Sequence, residues 1–433
     1  MSTRRIALNA LSEIIDKGAY ANLCLKKAEN GLSERDAKWV SAAVYCTLDH
    51  LMMIDRIIAM HAKGKQDKAI RNILRLGVCQ AKYMNVPDSA ACNESVRLAK
   101  EIGKGALSGY VNGVMRSVCR CSELPPLPED ITERLSIKYS WPEWLAKELV
   151  EDYGAEEAES IMAEQTHDFC IRAQRPYTSN ELETELNAKG LNFRHGKIDE
   201  NAFCLESGFN VEKEPLFTQG KITVQSESAM LVCRAVDPKP GMRILDACCA
   251  PGGKTAYMAS LAGNNCQITG FELHEHRREL TINTLKRLRV DCADIICRDS
   301  SEYDEEFEQA FDAVLVDAPC SGLGVRGKPD VRYAKTSTTV EELSKLQLKI
   351  LSMCSRYVKI GGTLVYSTCT VSRRENREVA ERFLSENENY VSGSIKEILP
   401  ESMQKRAENG MIQLLPQLDG TEGFFIAKFI RRR

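Results

Sequence analysis

From Met242 onward the chain alternates short apolar runs with segments of helical periodicity, and this alternation constrains the fold more than any other feature. The strand-like runs are Arg243–Asp246, Gln267–Glu272, Ile295–Cys297, Phe311–Asp317 and Thr363–Tyr366. Helices are expected from Gly253, over His274–Leu288 and over Val340–Val358. Strands separated by crossover helices predict an α/β doubly wound parallel sheet, with ligands held outside the carboxyl ends of the strands.

The first third is different. From Arg5 to about Cys121 the periodicity is helical throughout: Ile6, Leu11, Ile14 and Ile15 share a face, and Ser33 with Asp36 forms a capping signal before Val40, Val44 and Leu48. Further helices are expected over Ile70–Met84, Ala90–Ile102 and Leu107–Cys119, giving an all-α domain. Leu124-Pro-Pro-Leu-Pro128 cannot continue a helix and is read as an extended linker. Two or three helices around Trp141-Pro-Glu-Trp144 and Ala155–Glu164 follow. A small α+β insert is expected over roughly 168–215, with strands Phe169–Ala173 and Ala202–Leu205 and a helix Glu181–Ala188. Three stretches result: 1–124, 125–220 and 221–433.

Composition sets the class. No apolar run approaches the roughly 18 residues that span a bilayer. The start, Met1-Ser-Thr-Arg-Arg5, lacks the form of a secretory signal, so a cytoplasmic protein is expected. The 17 cysteines are odd in number, scattered and without a C-x-x-C pair, so most are expected as reduced thiols and no structural metal is expected. Net charge is −3, yet residues 1–120 hold 19 Lys and Arg against 11 Asp and Glu. A basic first domain on an acidic remainder suggests a polyanionic partner, RNA or DNA, although a solvated helical surface would show the same excess. The terminal Arg431-Arg-Arg433 is read as a solvated tail.

The sharpest local pattern is Asp246-Ala-Cys-Cys-Ala-Pro-Gly-Gly-Lys-Thr255, between a strand and a helix, with Glu272 closing the next strand. Glycines permit close backbone approach, the helix start offers N–H donors, and a strand-end carboxylate can bind a ribose diol. A phosphate-binding P-loop ending in Gly253-Lys-Thr255 would need Gly at position 248, which is Cys248, and the dinucleotide G-x-G-x-x-G is missing. An adenosyl cofactor without phosphates, S-adenosylmethionine, is the best remaining candidate. Cys320, in Asp317-Ala-Pro-Cys-Ser-Gly-Leu-Gly324, and Cys369, in Tyr366-Ser-Thr-Cys369, both follow strand ends and are candidate nucleophiles.

These three ordered motifs resemble the RNA cytosine-5 methyltransferases. The N-terminal third is similar to a NusB-like RNA-binding domain, through Arg71-x-Ile-Leu-Arg-Leu-Gly77, Val86-Pro87, Glu94-Ser-Val-Arg-Leu-Ala-Lys100 and Val111-Asn-Gly-Val-Met-Arg116. The combination is that of the small-subunit rRNA type of the family. The resemblance implies a NusB-like domain followed by a Rossmann-like, S-adenosylmethionine-dependent methyltransferase domain, acting on small-subunit (16S) rRNA; a monomer is expected. It implies Cys369 as the nucleophile at cytosine C6, Asp317 as the group hydrogen-bonding the base near N3, and Cys320 as the residue assisting release. Cofactor contacts are implied for Cys248, Cys249, Ala250, Pro251, Gly252, Gly253 and Lys254, with Glu272 at the ribose, Asp299 at the adenine end and Asp317 serving cofactor and base alike.

Some alternatives stay open at this level. Asp299 could instead serve as a helix N-cap before Ser300-Ser301, and Lys254 could pair with a nearby carboxylate. Cys249 stands where Ala is common, Glu272 where Asp is common, and Gly327 where Arg is frequent. Arg326, Lys328 and Arg332 then remain as phosphate contacts or as a solvated basic loop. The same chemistry on tRNA is one rival reading. A non-catalytic RNA-binding assembly factor is another, although such a factor has no need of Cys320, Cys369 and Asp317 together.

Overall fold

The computed structural model describes residues 1–164, 169–205, 211–325 and 327–432. Arg326 and Arg433 lie outside the described residues, as do the parts of the insert at 168 and 206–210. The chain divides into two compact units, Met1–Gln165 with Gly327–Ser337, and Thr166–Arg326 with Thr338–Arg433.

The first unit is helical, as its periodicity predicts. It contains α1 (Thr3–Lys17), α2 (Ala21–Ala28), α3 (Glu34–Asp49), α4 (Leu51–His61), α5 (Lys68–Lys82), α6 (Asp88–Glu101), α7 (Ser108–Arg120), α8 (Ile131–Tyr139), α9 (Glu143–Tyr153) and α10 (Ala155–Ala163). Ser33 caps α3 by accepting the Asp36 N–H at 3.2 Å. Gly77 is where α5 meets α6 and α7 most closely: a Cβ there would collide with Ser95 Oγ and stand 2.8 Å from Met115 Sδ. The proline linker is tied down, with Pro125 buried and Arg56 donating to the Pro126 carbonyl at 2.7 Å.

The segment Gly327–Ser337 packs with this unit and corrects one expectation. Arg332 is buried, donates to Asp49 Oδ1 and the Tyr139 carbonyl, both at 3.3 Å, and lies over the Trp141 ring. Its guanidinium is committed to the protein and is not a phosphate contact. Tyr333 and Asp330 are likewise spent on Leu48, Ser140 and the Ala21 N–H, whereas Lys328 is exposed.

The second unit begins with an antiparallel sheet ordered β2-β3-β1-β4, formed by β1 (Phe169–Ala173), β2 (Phe193–His195), β3 (Ala202–Leu205) and β4 (Ile222–Val224). It is accompanied by α11 (Ser179–Ala188) and the short α12 (Pro215–Thr218). Cys170 and Cys204 are opposed in register and joined as a disulfide, while the other 15 cysteines are free. With Glu227 they form the only cluster of metal-ligating side chains among the described residues, but the two sulfurs are committed to each other.

The large sheet is built from β5 (Arg243–Asp246), β6 (Gln267–Glu272), β7 (Ala293–Cys297), β8 (Phe311–Asp317), β9 (Val358–Thr368), β10 (Tyr390–Ser392), β11 (Met411–Leu414) and β12 (Phe424–Arg431). Its helices are α13 (Glu227–Val236), α14 (Gly253–Leu261), α15 (Glu275–Arg287), α17 (Ser337–Ser355), α18 (Arg377–Glu386), α19 (Glu401–Gln404) and α20 (Pro416–Asp419); α16 (Asp330–Ala334) belongs to the first unit. The order is β10-β12-β9-β8-β5-β6-β7, with β11 beside β12. β9, β8, β5, β6 and β7 run parallel, as expected.

The other edge departs from the all-parallel expectation, because β12 is antiparallel to β9, β10 and β11. The connection from β11 to β12 contains only α20 and a turn, too short for a crossover helix, so the chain doubles back. Arg431, expected in a solvated tail, is the buried last residue of β12 and donates to the carbonyls of Arg356 and Val358 at 3.0 and 2.7 Å. Ile244, Leu315, Val365 and Ile426 pack one face of the sheet; Leu245, Val314, Leu364 and Phe425 pack the other.

Candidate functional site

β5 lies between β8 and β6, so the chain leaves β5 toward one side of the sheet and later returns on the other. This is the topological switch point, where open α/β sheets form their ligand crevice. The strand ends around it carry Asp246, Glu272, Asp317 and Thr368.

Asp246 is 1% exposed; Oδ2 accepts the Thr255 hydroxyl at 2.7 Å, while Oδ1 has no partner. Burial pushes its pKa up to about 6. After it, the Ala247 N–H bonds the Leu315 carbonyl at 2.8 Å and the Cys249 N–H bonds Phe271 O at 3.0 Å, fastening the loop to both neighbouring strands. Cys249 is buried against Gly270, where a Cβ would stand 3.0 Å from its sulfur. Its side chain belongs to the core, so contact with a ligand would come from its backbone. The Ala250–Pro251 peptide is cis, and Gly252 has φ +97°, with Thr281 Cγ2 3.2 Å from where a Cβ would lie. A side chain there would be strained and crowded, whereas Gly253, which begins α14, has open space at its Cβ position.

Glu272, at the end of β6, is 4% exposed, and its Oε1 accepts the His274 N–H at 3.1 Å with Arg277 at 3.5 Å. Asp299 accepts the Ser301 N–H at 2.8 Å in an Asx turn; no helix starts there, since the next helical turn begins at Glu305. The N-cap alternative is therefore set aside. Ser300 donates its hydroxyl to the Ala247 carbonyl at 2.5 Å, joining the Asp299 turn to the glycine loop.

Asp317, at the end of β8, receives Lys254 Nζ on Oδ2 at 2.7 Å and the Ser367 hydroxyl on Oδ1 at 2.8 Å. Lys254 thus does pair with a carboxylate. Burial opposes its charge, yet Asp317 beside it, together with Cys369, carries its pKa above the usual lysine value. The first turn of α14 is held from behind by Arg172, which reaches the Gly253 carbonyl at 3.4 Å, and by Cys233, 3.5 Å from the Lys254 carbonyl.

The sulfurs of Cys320 and Cys369 lie 3.2 Å apart, at the ends of adjacent parallel strands. Contact with Cys369, then burial, pushes the Cys320 thiol well above its ordinary pKa. The site thus joins a carboxylate–ammonium pair, a close pair of thiols, and a glycine loop with a buried carboxylate on either side. Sequence reasoning did not single out Ser367, Gln347, Glu375 or Asn376, all buried around the cysteine loops. Polar residues in polar stretches carry no signal of burial.

Residues 233–430 match the family described as 16S rRNA methyltransferase RsmB/F, and residues 1–120 match the NusB family. The chain is 37% identical over 448 residues to a probable ribosomal RNA small subunit methyltransferase B of Bacillus subtilis, covering 100% of this chain and 99% of that protein. Against ribosomal RNA small subunit methyltransferase B of Klebsiella pneumoniae, identity is 30% over 446 residues, with 100% and 99% covered. A methyltransferase homolog from Pyrococcus horikoshii superposes with TM-score 0.59 at 28% identity, over 70% of this chain and 100% of that one. With a Rossmann-like methyltransferase sheet behind a helical NusB domain, and full-length kinship at this level, the chain belongs to the RsmB/F family of 16S rRNA methyltransferases.

Proposed function

We propose that this protein methylates C5 of a cytidine in small-subunit rRNA, using S-adenosylmethionine, through a covalent bond between Cys369 and C6. The observation that carries this reading is the cysteine pair at 3.2 Å beyond the same strand ends that hold the Lys254–Asp317 pair, at the switch point of the sheet.

The residues present fit the cofactor. Gly253 has open space for close approach, Glu272 offers a strand-end carboxylate for the ribose hydroxyls, and the unpartnered Asp246 Oδ1 leaves a buried acceptor behind the loop. Cys248 to Lys254 would line the cofactor, and Asp299 would meet its adenine end. S-adenosylmethionine, when bound, supplies the electrophilic methyl group that an activated C5 takes up.

Cytosine C5 is a poor nucleophile, so the residues of this chain must first make it one. The Cys369 thiolate adds to C6, and the electron pair of the C5=C6 bond moves to C5. Asp317, held by Ser367 and Lys254, accepts from the exocyclic amine and shares a proton with N3, and that proton neutralises the charge arriving on the ring. Once C5 carries both a methyl and a hydrogen, Cys320 assists removal of that proton; the double bond re-forms and Cys369 departs as thiolate. The base must be reached from both faces, so an unpaired or flipped-out cytidine is the substrate. The N-terminal domain, with 19 basic against 11 acidic residues, holds flanking RNA through phosphate contacts. Among the described residues no helix is long and apolar enough to cross a membrane. An rRNA substrate would place the enzyme in the cytoplasm.

The test is methyl transfer from labelled S-adenosylmethionine to unmodified, protein-free small-subunit rRNA and, in parallel, to unmodified tRNA, followed by nucleoside analysis. Label in 5-methylcytidine from rRNA alone is the expected result. Label from tRNA alone would replace the substrate, and no label in either would favour an assembly factor.

A further inference from the structure

Glu375 is a fully buried carboxylate in the loop between β9 and α18, and the chemistry assigned to Asp317, Cys320 and Cys369 makes no use of it. Ser321, which follows Cys320, donates its N–H to Glu375 Oε1 at 2.8 Å and its hydroxyl to Oε2 at 2.5 Å. Gln347 donates its amide to Oε1 at 2.9 Å. The Ser321 hydroxyl also lies 2.8 Å from that of Thr370, which follows Cys369. A hydroxyl has one proton to give. With the Ser321 proton directed at Glu375, Thr370 donates to Ser321, and an ordered chain runs from the Cys369 loop through the Cys320 loop to the carboxylate.

The β8–β9 ladder ends at Asp317 opposite Ser367, so Cys320 and Cys369 lie on the loops beyond it, 3.2 Å apart at sulfur. Beyond the ladder, the loops are joined by the Gly324 N–H to Cys369 carbonyl bond at 3.1 Å and by the Ser321–Thr370–Glu375 chain. Asn376 adds a second clamp on the Cys369 side, accepting the Thr368 hydroxyl and donating to the Thr370 carbonyl at 2.9 Å.

The donors named above, Ser321 and Gln347, are neutral. This set suits an ionised carboxylate, although burial pushes its pKa above the usual range. The charged and titratable groups around the cysteines are Lys254 and Asp317 at the strand ends, Tyr366 from β9, and Glu375 behind Ser321. The negative charge of Glu375 adds to what holds the Cys320 thiol in its protonated form.

We propose that Glu375 is a positioning residue for methyl transfer: through Ser321 and Thr370 it holds the two cysteine loops in sulfur contact, so that Cys320 stays beside the attacking Cys369. The inference rests on the roles proposed above for the two cysteines.

The test compares full-length wild type with Glu375→Gln, which keeps the size and an acceptor oxygen but removes the charge. Iodoacetamide alkylation of Cys320 and Cys369 is followed against pH by peptide mass spectrometry, alongside steady-state methylation. We expect the Cys320 alkylation midpoint to fall by about one pH unit or more, as removal of a nearby negative charge requires. We also expect kcat to fall about tenfold with KM for RNA nearly unchanged, since Glu375 is fully buried behind the cysteine loops. Glu375→Asp should recover part of both. A Cys320 profile and kcat equal to wild type would overturn the proposal. If the Gln variant does not fold, Ser321→Ala cuts the same link and is judged by the kcat–KM split, with unchanged kcat again overturning it. Cys320→Ala in an otherwise wild-type chain separates the two levels. Without a trapped RNA adduct, the cysteine roles themselves fail; with an adduct but an unaltered Glu375→Gln, only the role of Glu375 fails.

Discussion

Lys254 Nζ lies 2.7 Å from Asp317 Oδ2, joining the first turn of α14 to the end of β8. The glycine loop and the strand that leads to Cys320 are therefore locked by one ion pair, about one-fifth exposed on each side. Removing one partner of such a pair leaves the other charge poorly compensated. Lys254→Met should lower the single-turnover methylation rate about 100-fold, the scale of losing one preorganised electrostatic contact. Rapid-quench kinetics measures this, and a rate within threefold of wild type would remove Lys254 from the catalytic apparatus.

The 3.2 Å sulfur pair makes a prediction about trapped intermediates. If Cys320 assists release, Cys320→Ala incubated with RNA and S-adenosylmethionine should accumulate a protein–RNA adduct that survives denaturing electrophoresis. Cys369→Ala and the double variant should form none. An adduct persisting in the double variant would move the nucleophile to another residue.

Asp246 predicts a pH-dependent stability. Its ordinary pKa is 3.8, and burial raises it to about 6, so the folded chain holds this proton more tightly than the unfolded chain. The contribution to stability is fullest below pH 4 and is lost as pH rises through 6. Asp246→Asn retains an acceptor for Thr255 and should be the more stable protein at pH 8, by on the order of 2 kcal/mol, with the gap closing between pH 6 and 4. Urea denaturation at pH 8 and pH 4.5 checks it; a gap that does not depend on pH contradicts the assignment.

Arg332 and Lys328 separate stability from RNA affinity within one basic segment. Arg332 is spent on Asp49, Tyr139 and Trp141, so Arg332→Ala should cost about 2 kcal/mol of stability and leave the salt dependence of RNA binding unchanged. Lys328 is exposed, and Lys328→Ala should leave melting unchanged while reducing the salt slope by about one. Calorimetric melts and RNA titrations at several salt concentrations decide both, and a reversed pattern would return Arg332 to the RNA surface.

Much of the architecture was legible in the residues themselves. Helical periodicity marked α5, α6 and α7 to within a few residues, and apolar runs marked β5, β6 and β8, because burial of one helix face or of both sheet faces leaves a regular trace. The strand-end placement of the Asp246–Thr255 run, Asp317, Cys320 and Cys369 was legible as well, since it follows from local sequence. Tertiary structure alone decided the rest. It turned β12 antiparallel, took Arg431 and Arg332 out of solvent, and drew Glu375, Ser321 and Thr370 into a buried chain behind the two sulfurs. Those outcomes depend on pairings between residues tens to hundreds of positions apart. A charged side chain bears no local mark of whether a distant partner will meet it in the core or leave it in water.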